Sequence, residues 1–234
     1  MDAHYRAWFD DQLVRRFARK TAADFFKSET YFLERIAPEI HSVLDVGCAS
    51  GRLIRLLDEY SPGCRYIGVD LVSDNIELAR RTFPQAAFFL GNALDMSLGR
   101  TFDLVNATGV LQAEPRWKEL LERMIAHSHR YVLCDVKLSK HPEDIADLTR
   151  AYALHNGERL YFIVLSADRL LESVRALRGI ERAWLYGYET FPNPNTTVLP
   201  DVGTLVSAGL LLQKGKTAAG EPDLKLEVPE GLLS

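Results

Sequence analysis

At 234 residues, 47% hydrophobic and 26% charged, the chain is long enough for one sizeable core with decorations. A formal net charge of -4, with the basic residues dispersed, excludes an electrostatic footprint for nucleic acid; Arg15, Arg16, Arg19 and Lys20 read as a solvated helix face. Three cysteines (Cys48, Cys64 and Cys134) form an odd set without metal-ligand spacing and read as reduced thiols of a cytoplasmic protein.

Residues 3 to 37 read as one or two amphipathic helices. Phe9, Leu13 and Phe17 recur at spacing four, then Phe25, Phe32, Leu33 and Ile36 form a later face that Pro38 ends. Asp2, Asp10 and Asp11 interrupt the start of this segment, so neither a signal peptide nor a membrane span is expected there.

The next stretch, Val43-Leu44-Asp45-Val46-Gly47-Cys48-Ala49-Ser50-Gly51-Arg52-Leu53, reads as strand, tight turn and helix. Gly47 and Gly51 clear the side chains that would keep a ligand from the backbone, and Ala49 and Ser50 keep the remaining bulk small. Leu53, Leu56, Leu57 and Tyr60 continue at helical spacing, so the helix aims its free N–H groups at whatever lies over the turn. Arg65 to Asp70 is the following strand, and its last residue is an acid suited to the hydroxyls of a ribose. Together these residues describe a nucleoside site. Ala49 and Arg52 stand where a dinucleotide fingerprint needs glycine, which weakens a pyrophosphate reading, and no Gly-Lys-Ser/Thr follows to make a P-loop.

Farther along, Ser73 is a candidate N-cap for a helix that Pro84 stops, Ala86 to Leu90 is a third strand, and Phe102 to Ala107 a fourth. Pro115 opens a helix faced by Trp117, Leu120, Leu121 and Met124, and Arg130 to Val136 is a fifth strand. Residues 138 to 158 read as an insertion with a helix from Pro142, faced by Ile145, Leu148 and Tyr152. Ser166 is the N-cap expected for a helix stopped at Gly179. Ile180 to Tyr188 and Thr204 to Leu212 are the last two strands; their linker, rich in Pro and Asn, is too short for a crossover helix, so the pair is antiparallel. Residues 214 to 234 read as a polar tail in which Leu224 to Val228 can form a short edge strand.

Val-Leu-Asp-Val-Gly-Cys-Ala-Ser-Gly followed by Tyr-Ile-Gly-Val-Asp resembles motifs I and II of the class I S-adenosylmethionine-dependent methyltransferases, strongly over residues 43 to 136 and by pattern over 160 to 213. The resemblance implies a Rossmann-like, doubly wound α/β fold with a seven-stranded mixed sheet whose last strand is antiparallel. It implies a division into an N-terminal helical lid (1–42), a methyltransferase domain (43–213) and a C-terminal tail (214–234). The implied cofactor is S-adenosyl-L-methionine, held by Asp45, Gly47, Cys48, Ala49, Gly51, Asp70, Leu71, Asn92, Ala93 and Asn106. At the end of the third strand Asn92 takes the place of an acid that accepts from the adenine amine, with Asp95 as the alternative.

The implied reaction moves a methyl group to an O or N atom of a small-molecule or sugar-like metabolite. Its alternative is a catalytically silent methyltransferase fold that serves as a binding or assembly module. The bare turn of Gly47 and Gly51 paired with Asp70 favours the enzyme. Ala107-Thr108-Gly109 follows Asn106 where enzymes acting on base amines carry Pro-Pro-aromatic, so the acceptor is expected to be a small molecule, with neither nucleic acid nor membrane as partner. Gln112, Glu114 and His155 are the acceptor-side candidates. Alignment of donor and acceptor carries most of this chemistry, so no catalytic base is assigned. His127 and His129 read as surface residues, and no metal is expected.

Overall fold

The structure, a computed structural model, describes residues 25–155, 157–190, 194–215 and 220–233. The expected face of Phe9, Leu13 and Phe17 lies outside them. The chain divides into two compact units, one running to Thr108 and including Lys118–His129, the other comprising Gly109–Trp117 and the chain from Arg130 onward.

In the first unit α1 (Lys27–Ile36) buries Phe32, Leu33 and Ile36, and Pro38 lies in the short 3-10 turn that ends it. Strands β1 (Ser42–Val46), β2 (Arg65–Asp70), β3 (Ala87–Leu90) and β4 (Phe102–Ala107) lie in the order β3-β2-β1-β4, all parallel. Helices α2 (Leu53–Tyr60) and α3 (Ser73–Thr82) make the crossovers, as parallel neighbours require. Every residue of β1 is buried, which is why, after Ser42, it reads as an apolar run broken only by Asp45. Ser73 is the first helical residue of α3 and Val72 its cap position, without a side-chain cap bond. Instead Asp70 Oδ1 accepts the Val72 N–H at 2.8 Å, so the acid ahead of the helix takes the role expected of the serine. The unit also holds α4 (Trp117–His127) from Lys118 on.

In the second unit β5 (Ser128–Ser139) from Arg130 on, β9 (Ile180–Glu189) and β11 (Val206–Lys214) form the main sheet, with β11 between and antiparallel to both neighbours. β12 (Asp223–Glu227) adds a parallel edge strand to β9, and β8 (Leu165–Ser166) a two-residue pairing to β5. The seven strands read from sequence are thus present, with β8 and β12 joined to them. α5 (Ala167–Arg175) follows Ser166, whose N–H is accepted by Asp144 Oδ1.

The helix expected from Pro142 does not form. Asp147 Oδ1 accepts both the backbone N–H and the hydroxyl of Thr149 at 2.8 Å, closing a turn that competes with helix. The chain then runs into β6 (Ala151–His155), which pairs with β7 (Glu158–Tyr161) on one side and β10 (Thr196–Val198) on the other. Ile145, Ala151, Phe162, Val164, Val202 and Leu205 form a small core of their own beneath this three-stranded sheet. Among the described residues no helix is long and apolar enough to cross a membrane.

Candidate functional site

The turn after β1 is left-handed at three points: Gly47 at φ +66°, Ala49 at +49° and Gly51 at +81°. Glycine adopts this region without cost, whereas alanine does so at roughly 1–2 kcal/mol. Ala49 is held there by Asp70, whose Oδ2 accepts the Ala49 N–H at 2.8 Å. The carboxylate one strand over is therefore aimed at the turn, as the two motifs demand. Asn75 Nδ2 also donates to Asp70 Oδ1 at 3.3 Å. Burial raises the Asp70 pKa, while the N–H groups of Val72 and Ala49 and the Asn75 amide pull the other way. A carboxylate oxygen can accept two hydrogen bonds, so Oδ2, which takes the Ala49 N–H, retains capacity for a ribose hydroxyl.

Close approach of β2 to the turn depends on Gly68. A Cβ there would lie 2.7 Å from Cys48 Sγ and 2.8 Å from Phe88 Cδ1. Gly51 is similarly enclosed, with Phe88 Cζ 3.0 Å and Phe83 Cδ2 3.1 Å from an added Cβ. Cys48 is buried, and burial pushes its thiol pKa well up, so it packs as a neutral thiol. Leu71 follows Asp70 and is half-buried, and Gly91 donates its N–H to the Asp70 carbonyl at 3.0 Å, which brings the loop of Asn92 and Ala93 beside Asp70. Asn92 Oδ1 accepts the Leu94 N–H at 3.0 Å, closing the turn there.

Beneath the turn lies a polar network that sequence reasoning anticipated only at Asp45 and Asn106. Asp45 Oδ2 accepts the Tyr66 hydroxyl at 2.6 Å and its Oδ1 the Asn106 amide at 2.7 Å. Asn106 Nδ2 also donates to Thr108 Oγ1 at 3.1 Å, and the Thr108 hydroxyl donates to Glu29 Oε1 at 2.6 Å. Arg52 closes the network with a two-pronged contact to Glu29, at 2.7 and 3.1 Å. Glu29 itself accepts the Phe26 N–H at the start of α1. Arg52, at the position where a dinucleotide turn needs glycine, thus anchors α1 to the turn. Burial raises the Asp45 pKa to about 6, despite the hydrogen bonds from Tyr66 and Asn106. Asn106 Oδ1 is buried and has no hydrogen-bond partner among the described residues. Glu29 and Thr108 carry no motif and only their burial reveals them, while Tyr66 opens the quoted Tyr-Ile-Gly-Val-Asp stretch without being singled out.

In the second unit Gln112 lies in a 3-10 turn whose carbonyl accepts the Ile163 N–H at 2.7 Å; its side-chain Oε1 is buried without a partner among the described residues. Glu114 is buried, and its Oε1 accepts the Arg116 N–H at 2.9 Å. His155 ends β6 at a hairpin tip, opposite Glu158. Sequence reasoning passed over Asp135 and Lys137, although two charges at alternate positions of an otherwise apolar strand are an available signal. Lys137 Nζ lies 3.0 Å from Asp135 Oδ2, and Asp135 Oδ1 accepts the Gly109 N–H. The two histidines lie in the first unit, His127 Nε2 beside the Met96 carbonyl and His129 Nε2 2.8 Å from Asp103.

A methyltransferase-domain family model matches residues 43–132, the stretch that holds the turn and the β2 acid. That stretch is similar to a methyltransferase domain, and the fold around it is shared with solved S-adenosylmethionine-dependent methyltransferases. Among curated methyltransferase relatives, dTDP-3-amino-3,6-dideoxy-alpha-D-glucopyranose N,N-dimethyltransferase of Streptomyces fradiae is 34% identical over 100 residues, which is 41% of this chain and 38% of that one. Trans-aconitate 2-methyltransferase of Azoarcus sp. is 28% identical over 120 residues, 51% of this chain and 46% of the relative. The matches therefore span less than half the length of these relatives. Among solved methyltransferase folds, the O-methyltransferase of a trans-AT polyketide synthase from Brevibacillus brevis, in complex with S-adenosyl-L-homocysteine, superposes with a TM-score of 0.59 at 12% identity, covering 80% of this chain and 72% of that one. The Rossmann-like methyltransferase fold is common to both, and the family's methyl donor is S-adenosylmethionine.

Proposed function

We propose that the chain transfers a methyl group from S-adenosylmethionine to an O or N atom of a small-molecule or sugar-like metabolite. The observation that carries the reading is the Asp70 carboxylate, hydrogen-bonded at 2.8 Å to the bare-backbone turn at Ala49. Asp70 would grip the ribose hydroxyls, and the half-buried Leu71, Asn92 and Ala93 beside it would line the adenine. The orphaned Asn106 Oδ1 fits the ammonium of the donor's amino-acid end, a partner that would satisfy a buried acceptor. Asp45, Gly47, Cys48 and Gly51 shape the floor on which that end lies.

When bound, the sulfonium supplies an activated methyl and a neutral thioether leaving group. The chain's own residues bind and orient: the turn admits the donor, Asp70 fixes its rotation, and the Arg52–Glu29 contact holds α1 against the turn. That last contact supports reading the N-terminal segment as a cover over the donor. The relatives named for an amino sugar and for trans-aconitate support a small acceptor.

Calorimetric titration with S-adenosylhomocysteine tests the reading. Saturable binding is expected, and Asp70→Ala should weaken it by about 1.5–3 kcal/mol, the loss of hydrogen bonds to a charged group. No heat with the wild-type chain, or equal affinity for the variant, would refute the assignment.

A further inference from the structure

The nitrogen and oxygen ends of a side-chain amide have nearly the same shape, so the end of Asn106 that faces a ligand is decided by its hydrogen-bond partners. Those partners all lie in the first unit, and the chain of contacts that sets them starts at Glu29, 0% exposed and held by Arg52 at 2.7 and 3.1 Å. A carboxylate in an ion pair offers only acceptors, so the Thr108 hydroxyl, 2.6 Å away, must give it its proton. Thr108 Oγ1 is then left with lone pairs alone. Asn106 Nδ2 at 3.1 Å and Arg52 Nη2 at 3.5 Å bring donors to them. An amide oxygen in the place of Asn106 Nδ2 would face a second oxygen with no proton between them. The nitrogen is thereby committed to Thr108. The oxygen takes the other end, where it is buried and has no partner among the described residues.

Asp45 Oδ1, 2.7 Å from the same nitrogen, imposes this orientation only while the carboxyl is charged; protonated, it can donate instead. Burial raises the Asp45 pKa to about 6; the hydrogen bonds from Tyr66 and Asn106 and the Arg52 charge oppose the rise, and the Glu29 charge adds to it. The path through Thr108 needs no charge on Asp45. We propose that Glu29, acting through Thr108, is a positioning residue that fixes the polarity of the Asn106 amide and so makes it a receptor for the ammonium of the methyl donor. This rests on the donor reading and extends it to two residues outside both motifs. Reversed, the Asn106 amide would present N–H groups to a cation and repel it. Neither Glu29 nor Thr108 needs to touch the donor.

The test measures a ratio of affinities. The full chain is titrated calorimetrically with S-adenosylhomocysteine and with its analogue in which hydrogen replaces the amino group. The wild type should prefer the amine-bearing ligand roughly ten- to hundredfold, the range for a hydrogen bond to a charged group. Asp45→Asn removes the second determinant, because an amide there can either accept from Asn106 or donate to it, and part of the preference should persist. Asp45→Asn/Thr108→Val frees Asn106 to turn, and its preference should fall at least about fivefold below that of Asp45→Asn. Asp45→Asn/Thr108→Ser keeps a hydroxyl and should match Asp45→Asn. Asp45→Asn/Glu29→Gln is a second route to the same fall, since an amide at that position can donate to Thr108 and let its hydroxyl turn to Asn106. A preference unchanged along either route, or a loss shared equally by the two ligands or by the Thr108→Ser variant, would overturn the proposal and leave the Asp70 clamp standing. A wild type indifferent to the amino group would overturn it together with the ammonium assignment. Failure of the wild type to bind S-adenosylhomocysteine would overturn the donor reading itself.

Discussion

Asp45 lies at the centre of the network beneath the turn, and its replacement by asparagine isolates the cost of burying its charge. The carboxyl has a native pKa of about 6 against an ordinary 3.8, burial being the largest cause. The native state therefore favours the protonated acid. Its contribution to stability is fully present below about pH 4 and is lost as the pH rises through 6. At about 1.4 kcal/mol per pKa step, the total is about 3 kcal/mol, of which about 2 kcal/mol is lost between pH 4 and pH 7. The substituted amide would not titrate, yet it preserves both contacts: its oxygen accepts from Asn106, and its nitrogen donates to the Tyr66 hydroxyl oxygen. Urea unfolding of both proteins, without ligand, at several pH values between 4 and 7.5 measures the effect. Asp45→Asn should gain on the wild type by about 2 kcal/mol over that range. A difference that stays constant with pH, or that moves in the wild type's favour, would show that the carboxylate is better solvated than its burial implies.

Gly68→Ala should cost about 1–3 kcal/mol in thermal unfolding, because the new methyl meets Cys48 Sγ at 2.7 Å. Wild-type stability in that variant would mean that β2 and the turn can separate freely. Ala49→Gly should raise the unfolding midpoint by relieving the left-handed alanine, by up to about 1 kcal/mol after the entropy of the freer unfolded chain is counted. A lowered midpoint would refute that account of the turn.

The parallel half of the fold was legible because β1, β2 and β4 are largely buried on both faces and its turns are punctuated by glycine. β1 to β4 lie within a residue or so of where periodicity puts them. The antiparallel pairing of β9 and β11 followed from a linker without room for a helix. What escaped was set by contacts distant in sequence. Ile145, Leu148 and Tyr152 have helical spacing, but β6 finds partners at 158–161 and 196–198, and pairing on both edges outweighs local propensity. In the candidate site the motif residues, Asp70 with the turn, were visible from spacing. Glu29 and Thr108 were not, because 79 residues separate two side chains that hydrogen-bond at 2.6 Å.

The small sheet of β6, β7 and β10 draws on two separate excursions of the chain, residues 140–164 and 194–205, which share one apolar nucleus. Neither excursion can be shortened, swapped or redesigned alone, since the remaining one would expose Phe162 and Val164 or Val202 and Leu205 to water. Any transplant of this lobe into a related fold must therefore carry both segments as a matched set, and natural variation at one should be mirrored by a compensating change at the other.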